Sequence, residues 1–151
     1  PYPGSTLLIY DISNPAMPAL AGSFAADDSV RLIKVVGDIA YTIVGVVDEK
    51  LVIVDVSDPA DPQFVSEFAV TPNHISDIAY SNDSIYLTVP ATPGGGLRTI
   101  DVTDPLTPTL RGTYTMSNEF ANAVAVLPAR VIALGGSAGL LLLQVTTVAR
   151  R

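Results

Sequence analysis

The run Leu51-Val52-Ile53-Val54-Asp55-Val56-Ser57-Asp58-Pro59 decides how this chain folds. Its first four residues are apolar without alternation, so a strand here buries both of its faces. Ser57-Asp58-Pro59 then changes the chemistry. An Asp side chain accepts from nearby backbone N–H groups and Pro presets φ, so the strand runs into a turn. The pattern recurs in Leu7-Leu8-Ile9-Tyr10-Asp11-Ile12-Ser13-Asn14-Pro15 and in Leu97-Arg98-Thr99-Ile100-Asp101-Val102-Thr103-Asp104-Pro105. Pro18, Pro62 and Pro108 follow at a constant offset, and Asp11, Asp55 and Asp101 lie 44 and 46 residues apart. A weaker copy, Leu140-Leu141-Leu142-Leu143-Gln144-Val145, places Gln144 where Asp is expected, 43 residues on.

The remainder of the unit repeats as well. Phe24, Phe68 and Tyr114 close the segment after the two prolines, and Ile33, Ile78 and Val124 share a position. Each unit reads as four short strands. The first covers 30–36, 75–80 and 121–127; the second 39–44, 85–89 and 131–134; the third is the apolar run itself; the fourth covers 19–24, 63–69 and 109–115. Gly37-Asp38 and Asn82-Asp83 supply tight-turn chemistry between first and second strands, because Gly and Asn tolerate positive φ. Four strands in a period of about 40–45 residues is the pattern of a β-propeller, whose blades cover one another's faces. The expected fold is therefore all-β: propeller blades of four antiparallel strands, about three and a half repeats. They form a single repeat domain over 1–151, with blade units at 7–24 (partial), 30–69, 75–115 and 121–145 (partial).

The Leu-x-Ile-Val-Asp-Val-Ser-Asp-Pro run, with Pro three residues later and Gly-x-Tyr/Phe beyond, resembles the LVIVD-repeat β-propellers. That resemblance covers nearly the whole chain and implies a bacterial or archaeal surface or secreted protein. It carries no catalytic residue over to this sequence.

Composition narrows the function. Acidic residues outnumber basic ones, 15 to 8, for a net charge of −7. Phosphate backbones are repelled by such a surface, so nucleic acid is not an expected partner. There is no Cys, which excludes disulfides, thiolate metal sites and Cys nucleophiles. The stretch 131–149 has no charged residue, yet Gly135, Gly136, Gly139, Gln144, Thr146 and Thr147 interrupt it. It aligns with earlier strand pairs, so no membrane span is expected.

His74 is the only histidine, and Ser76 and Asp77 lie near it. A triad is assembled through the fold around a nucleophile elbow, not from adjacent strand residues, so His74 reads as a loop residue and no enzyme is expected. Asp27, Asp28, Asp58, Asp61 and Asp104 offer oxygen ligands of the kind calcium takes, although no calcium-loop motif is present; no other cofactor is expected. Gly94-Gly95-Gly96 precedes no Lys-Ser/Thr and reads as a hairpin loop. Asp11, Asp55 and Asp101, with Pro15, Pro59 and Pro105, are expected to hold turns.

The turns after the first and third strands repeat, whereas the links after the second and fourth vary. Variable loops on a rigid scaffold are where binding resides. The candidate binding residues on that side are Asp28, Arg31, Asn73, His74, Glu119, Phe120 and Asn122. The expected function is a non-catalytic binding or scaffold module, cell-surface or secreted (periplasm included), that engages a protein or glycan. A structural subunit of a surface layer or filament is the second reading, and an enzyme using the propeller channel the third. Ring closure would come from a homo-oligomer, from the remainder of a longer chain, or from the N-terminal strands completing the last blade.

Overall fold

A computed structural model describes residues 5–71, 74–90, 95–116, 121–127, 130–135 and 139–144, the last two stretches as backbone. The first unit comprises Pro1–Thr71 with Pro105–Thr107, and the second Pro72–Asp104 with Pro108–Arg151. Among the described residues all regular structure is β.

In the first unit β1 (Thr6–Asp11) and β2 (Ala19–Ala25) form a two-stranded sheet, and β3 (Val30–Val36), β4 (Ile39–Val44), β5 (Lys50–Asp55) and β6 (Gln63–Ala69) a four-stranded one. In the second unit β7 (Asp77–Ser81), β8 (Ser84–Val89), β9 (Gly96–Asp101) and β10 (Thr109–Thr115) form the next four-stranded sheet. β11 (Ala121–Leu127), β12 (Arg130–Gly135) and β13 (Gly139–Gln144) form a three-stranded one. All pairs are antiparallel between sequence neighbours. The described residues of the apolar stretch 131–149 are thus strands β12 and β13, and no helix of the described residues is long and apolar enough to cross a membrane.

Continuous apolarity in the third strand has the predicted consequence. Leu51, Val52, Ile53 and Val54 are all buried, so both faces of β5 are covered. β4 and β8 are buried almost throughout, whereas β6 mixes exposed and half-buried positions and β10 is exposed at all but one. In the first unit Leu7 on β1 packs with Ala40, Val44, Val52 and Val54 of the adjoining sheet, and Phe24, Ala26, Val30 and Val56 flank them. In the second unit Ala79, Tyr86 and Leu97 meet Val124, with Val126 beside them. In both units the leucine that opens a third strand, Leu7 or Leu97, thus belongs to a cluster shared with the next sheet.

The β2–β5/β6 approach is close. A Cβ on Gly22 would collide with the carbonyl oxygen of Pro59, so only glycine fits. Ser66, the repeat equivalent of Gly22, donates its Oγ–H to the carbonyl of Pro105 at 2.6 Å. Gly112, the third equivalent, has open space around its Cα.

β7 begins at Asp77, two residues later than the pattern predicts. His74 takes φ 82, which no strand residue adopts, and the chain enters the sheet only after it. Asn82 and Asp83 both lie at positive φ, the type I′ pattern of a two-residue hairpin, and Gly37 supplies positive φ in the equivalent turn.

Candidate functional site

Each four-stranded sheet has two unlike ends. At one, the links 12–18, 56–62 and 102–108 follow the third strand and are seven residues each. Asp11 Oδ1 accepts from Ser13 N at 2.8 Å, Asp55 Oδ1 from Ser57 N at 2.8 Å, and Asp101 Oδ1 from Thr103 N at 3.0 Å and Thr103 Oγ1 at 2.7 Å. A second turn of the same kind follows: Asn14 Oδ1 accepts from Ala16 N and Asp58 Oδ1 from Ala60 N, around Pro15 and Pro59. Pro105 offers its carbonyl to Ser66. The hairpin turns join in, since Asp38 O accepts from Val56 N and Asp83 O from Val102 N. Hydrogen bonds to the ionised form favour it, so the backbone N–H and side chain of Ser13 hold the Asp11 carboxyl below the ordinary range. The Ser57 hydroxyl, then its N–H, does the same for Asp55.

At the other end the links 26–29, 45–49, 70–76, 90–95 and 116–120 range from four to seven residues and share no sequence. In the first unit, Asp28 lies in the link after β2 and accepts from Ser29 N at 2.6 Å. Arg31, on β3, pairs with Glu49 of the β4–β5 link, whose carboxylate is wholly buried. Burying a carboxylate is tolerated only with such a partner, so this pair fixes the link to β3. Sequence reading singles out Arg31 but misses Glu49, because the two meet across a strand pair 18 residues apart. In the second unit, His74 is exposed at its positive-φ position ahead of β7, and Ser76 N donates to Thr88 O. His74 and Ser76 therefore precede the strand. Asn122 is exposed on β11. Asn73, Glu119 and Phe120 lie outside the described residues.

Asp77 is committed to structure: Oδ1 accepts from Ile78 N and Oδ2 from Val124 N, both at 2.8 Å, which ties β7 to β11. Among the described residues no three His, Asp or Glu side chains converge as a metal site. Asp27, one of the calcium candidates, instead accepts from Lys50 Nζ at 2.8 Å, and the same ammonium donates to Glu67 at 2.6 Å. Lys50 pulls the Asp27 carboxyl below its ordinary range, and hydrogen bonds to Asp27 and then Glu67 lift the Lys50 ammonium.

Asp27 and Glu67 also line a cleft of about 280 Å³ within the first unit, together with Phe24, Val52, Phe64 and two alanines. Nothing in the linear pattern announces it. Its lining residues come from β2, the β2–β3 link, β5 and β6, and the register Val52↔Glu67 and Val54↔Phe64 aligns those of the last two.

Comparisons agree with this architecture. The model of the LVIVD repeat family matches residues 4–26 and 29–70. No match is found among curated proteins. The crystal structure of the computationally designed Ika4 protein is similar in fold, with a TM-score of 0.71 at 12% identity over 94% of this chain and 81% of that one. At that identity the likeness concerns fold alone: propeller-type blades of antiparallel strands.

Proposed function

This chain carries LVIVD repeats, and on that premise we propose that it is a non-catalytic binding and scaffold module acting outside the cytoplasm. Its partner is a protein or a glycan, held at the end of the blades that carries the variable links. The observation that supports this is the asymmetry between the two ends. One end spends its polar side chains on its own turns: Asp11, Asp55, Asp58 and Asp101 all bond backbone within two residues. The other end uses few polar groups this way and presents residues that differ at every repeat, among them His74 and Asn122. Rigid scaffolds with divergent loops are the usual platform for recognition. The resemblance to the LVIVD-repeat family, which implies a surface or secreted protein, supports the location.

A glycan array probed with the labelled chain tests the reading, followed by alanine at Asp28, His74 and Asn122. Loss of any captured glycan with these variants, but not with serine at the exposed turn residues Met17 and Leu106, is the expected result. The opposite pattern contradicts it. Leu8, Tyr10 and Leu20, at 48%, 51% and 59% exposure, give the second reading its support, because an apolar sheet face of this kind suits a subunit contact in an assembly. Concentration-dependent sedimentation that Tyr10→Lys abolishes would favour it.

A further inference from the structure

In the second unit the hairpin β7–β8 does two jobs. Through β8 it pairs with the edge of β9, and through Ala79 and Tyr86 it packs against Val124 and Val126 of the following sheet. Val124 is thereby only 8% exposed. The first unit repeats this frame without the hairpin. β1 is the repeat equivalent of β9, and among the described residues its one neighbouring strand is β2. Ile33 and Val35 of β3, the equivalents of Val124 and Val126, are 47% and 52% exposed. An open strand edge and an uncovered apolar row therefore occur together, at the positions that β7–β8 occupies in the other unit. An open edge of this kind is a template for strand addition.

Resting on the reading of the chain as a subunit of an assembly, we propose that this position receives the β11–β12 hairpin of a second copy. β1 and β2 of one copy then complete the sheet that β11 and β12 begin in the other. The donor hairpin matches the one it imitates. Ala125 of β11 is the equivalent of Ala79; it stands opposite Ile132 as Ala79 stands opposite Tyr86, and it is exposed. The receiving strand is also the better third strand. β13, which holds the place beside β12, has Gln144 where β1 has Asp11, the carboxylate that accepts from Ser13 N and closes the turn. Exchanging β13 for β1 replaces one antiparallel ladder by another and adds the burial of Ile33 and Val35. Blade number selects a second copy over closure within one chain. Two four-stranded sheets and one completed sheet make three blades per chain, and two copies make six. Closed propellers hold roughly four to eight. Each copy donates a hairpin and receives one, so the contact closes on itself.

Sedimentation equilibrium and cysteine cross-linking test this. With β1 in the register that β13 holds, Ala133 stands opposite Leu8, and opposed residues of antiparallel strands lie within disulfide range. The chain has no Cys, so introduced thiols have no competitors. Leu8→Cys and Ala133→Cys, made as separate chains, mixed and mildly oxidised, should yield a disulfide joining 8 of one chain to 133 of the other. The unmodified chain should sediment at twice its 15.8 kDa mass. Ile33→Lys should weaken association at least about tenfold, because the added strands would bury its ammonium, and circular dichroism checks that the variant folds. A monomer at every concentration overturns this proposal and the assembly reading together, including the case in which a chain carrying both cysteines closes on itself. An oligomer that lacks the 8–133 disulfide, or is indifferent to Ile33→Lys, overturns this proposal alone.

Discussion

Lys50, Val52 and Glu67 in the sheet β3–β6 occupy the positions that Gly96, Arg98 and Thr113 hold in the sheet β7–β10. Leu51 and Leu97, Asp55 and Asp101, and the seven-residue links after them are the same in both. What recurs is what the blade needs: an inner strand covered on both faces, and an aspartate that closes the following turn. What diverges is free to do something else. Arg98 shows how far the divergence goes, since the buried Val52 position accepts a guanidinium that burial pulls below the usual arginine range. Asp77 makes the same point, because its repeat equivalent Leu32 offers no carboxylate to a neighbouring strand.

The largest effect should come from the shared core. Leu51→Ala and Leu97→Ala should each destabilise by about 2–5 kcal/mol, because both are buried and leave cavities. Phe64→Ala on the exposed outer strand should cost far less, and urea denaturation compares the three. The next effect separates two glycines at one repeat position. Gly22→Ala should lose about 1–3 kcal/mol by overpacking against Pro59, and Gly112→Ala should be near neutral; thermal melts of the pair decide it. Asp77→Ala should cost about 2 kcal/mol, since it leaves Ile78 N and Val124 N without their carboxylate, while Leu32→Ala in the other sheet reports only lost apolar contact. Ser66→Ala should cost about 1 kcal/mol through the Pro105 carbonyl.

The smallest effects are electrostatic. Asp11 and Asp55 have lowered pKa values in the folded chain, so their stabilisation is complete above the ordinary aspartate range and is lost as pH falls through the lowered values. Asp55→Asn should flatten the acid limb of the stability profile. Lys50 is shifted upward, so its contribution is complete below the ordinary lysine range and disappears as pH rises past the lifted value.

Most of the fold was legible because the repeat states it more than once. Strand limits for the second four-stranded unit follow from the first to within a residue, except that β7 starts at Asp77, after the left-handed backbone of His74, which side-chain pattern does not encode. The turn aspartates were legible because their partners lie two residues away. Arg31–Glu49 and Asp27–Lys50–Glu67 were not, because each pairing depends on register between strands 17 to 23 residues apart in sequence. The close approach at Gly22 was hidden for the same reason: its neighbour Pro59 belongs to the next repeat.

Hydrogen exchange resolved by residue addresses the shared design most directly. Amides of 40–44 and 51–54 in one sheet and 85–89 and 97–101 in the other should form the slowest-exchanging set, with 63–69 and 109–115 faster in both. Equal protection across inner and outer strands, or slow exchange in one four-stranded sheet and not in its repeat, would contradict the assignment of these segments to equivalent blades.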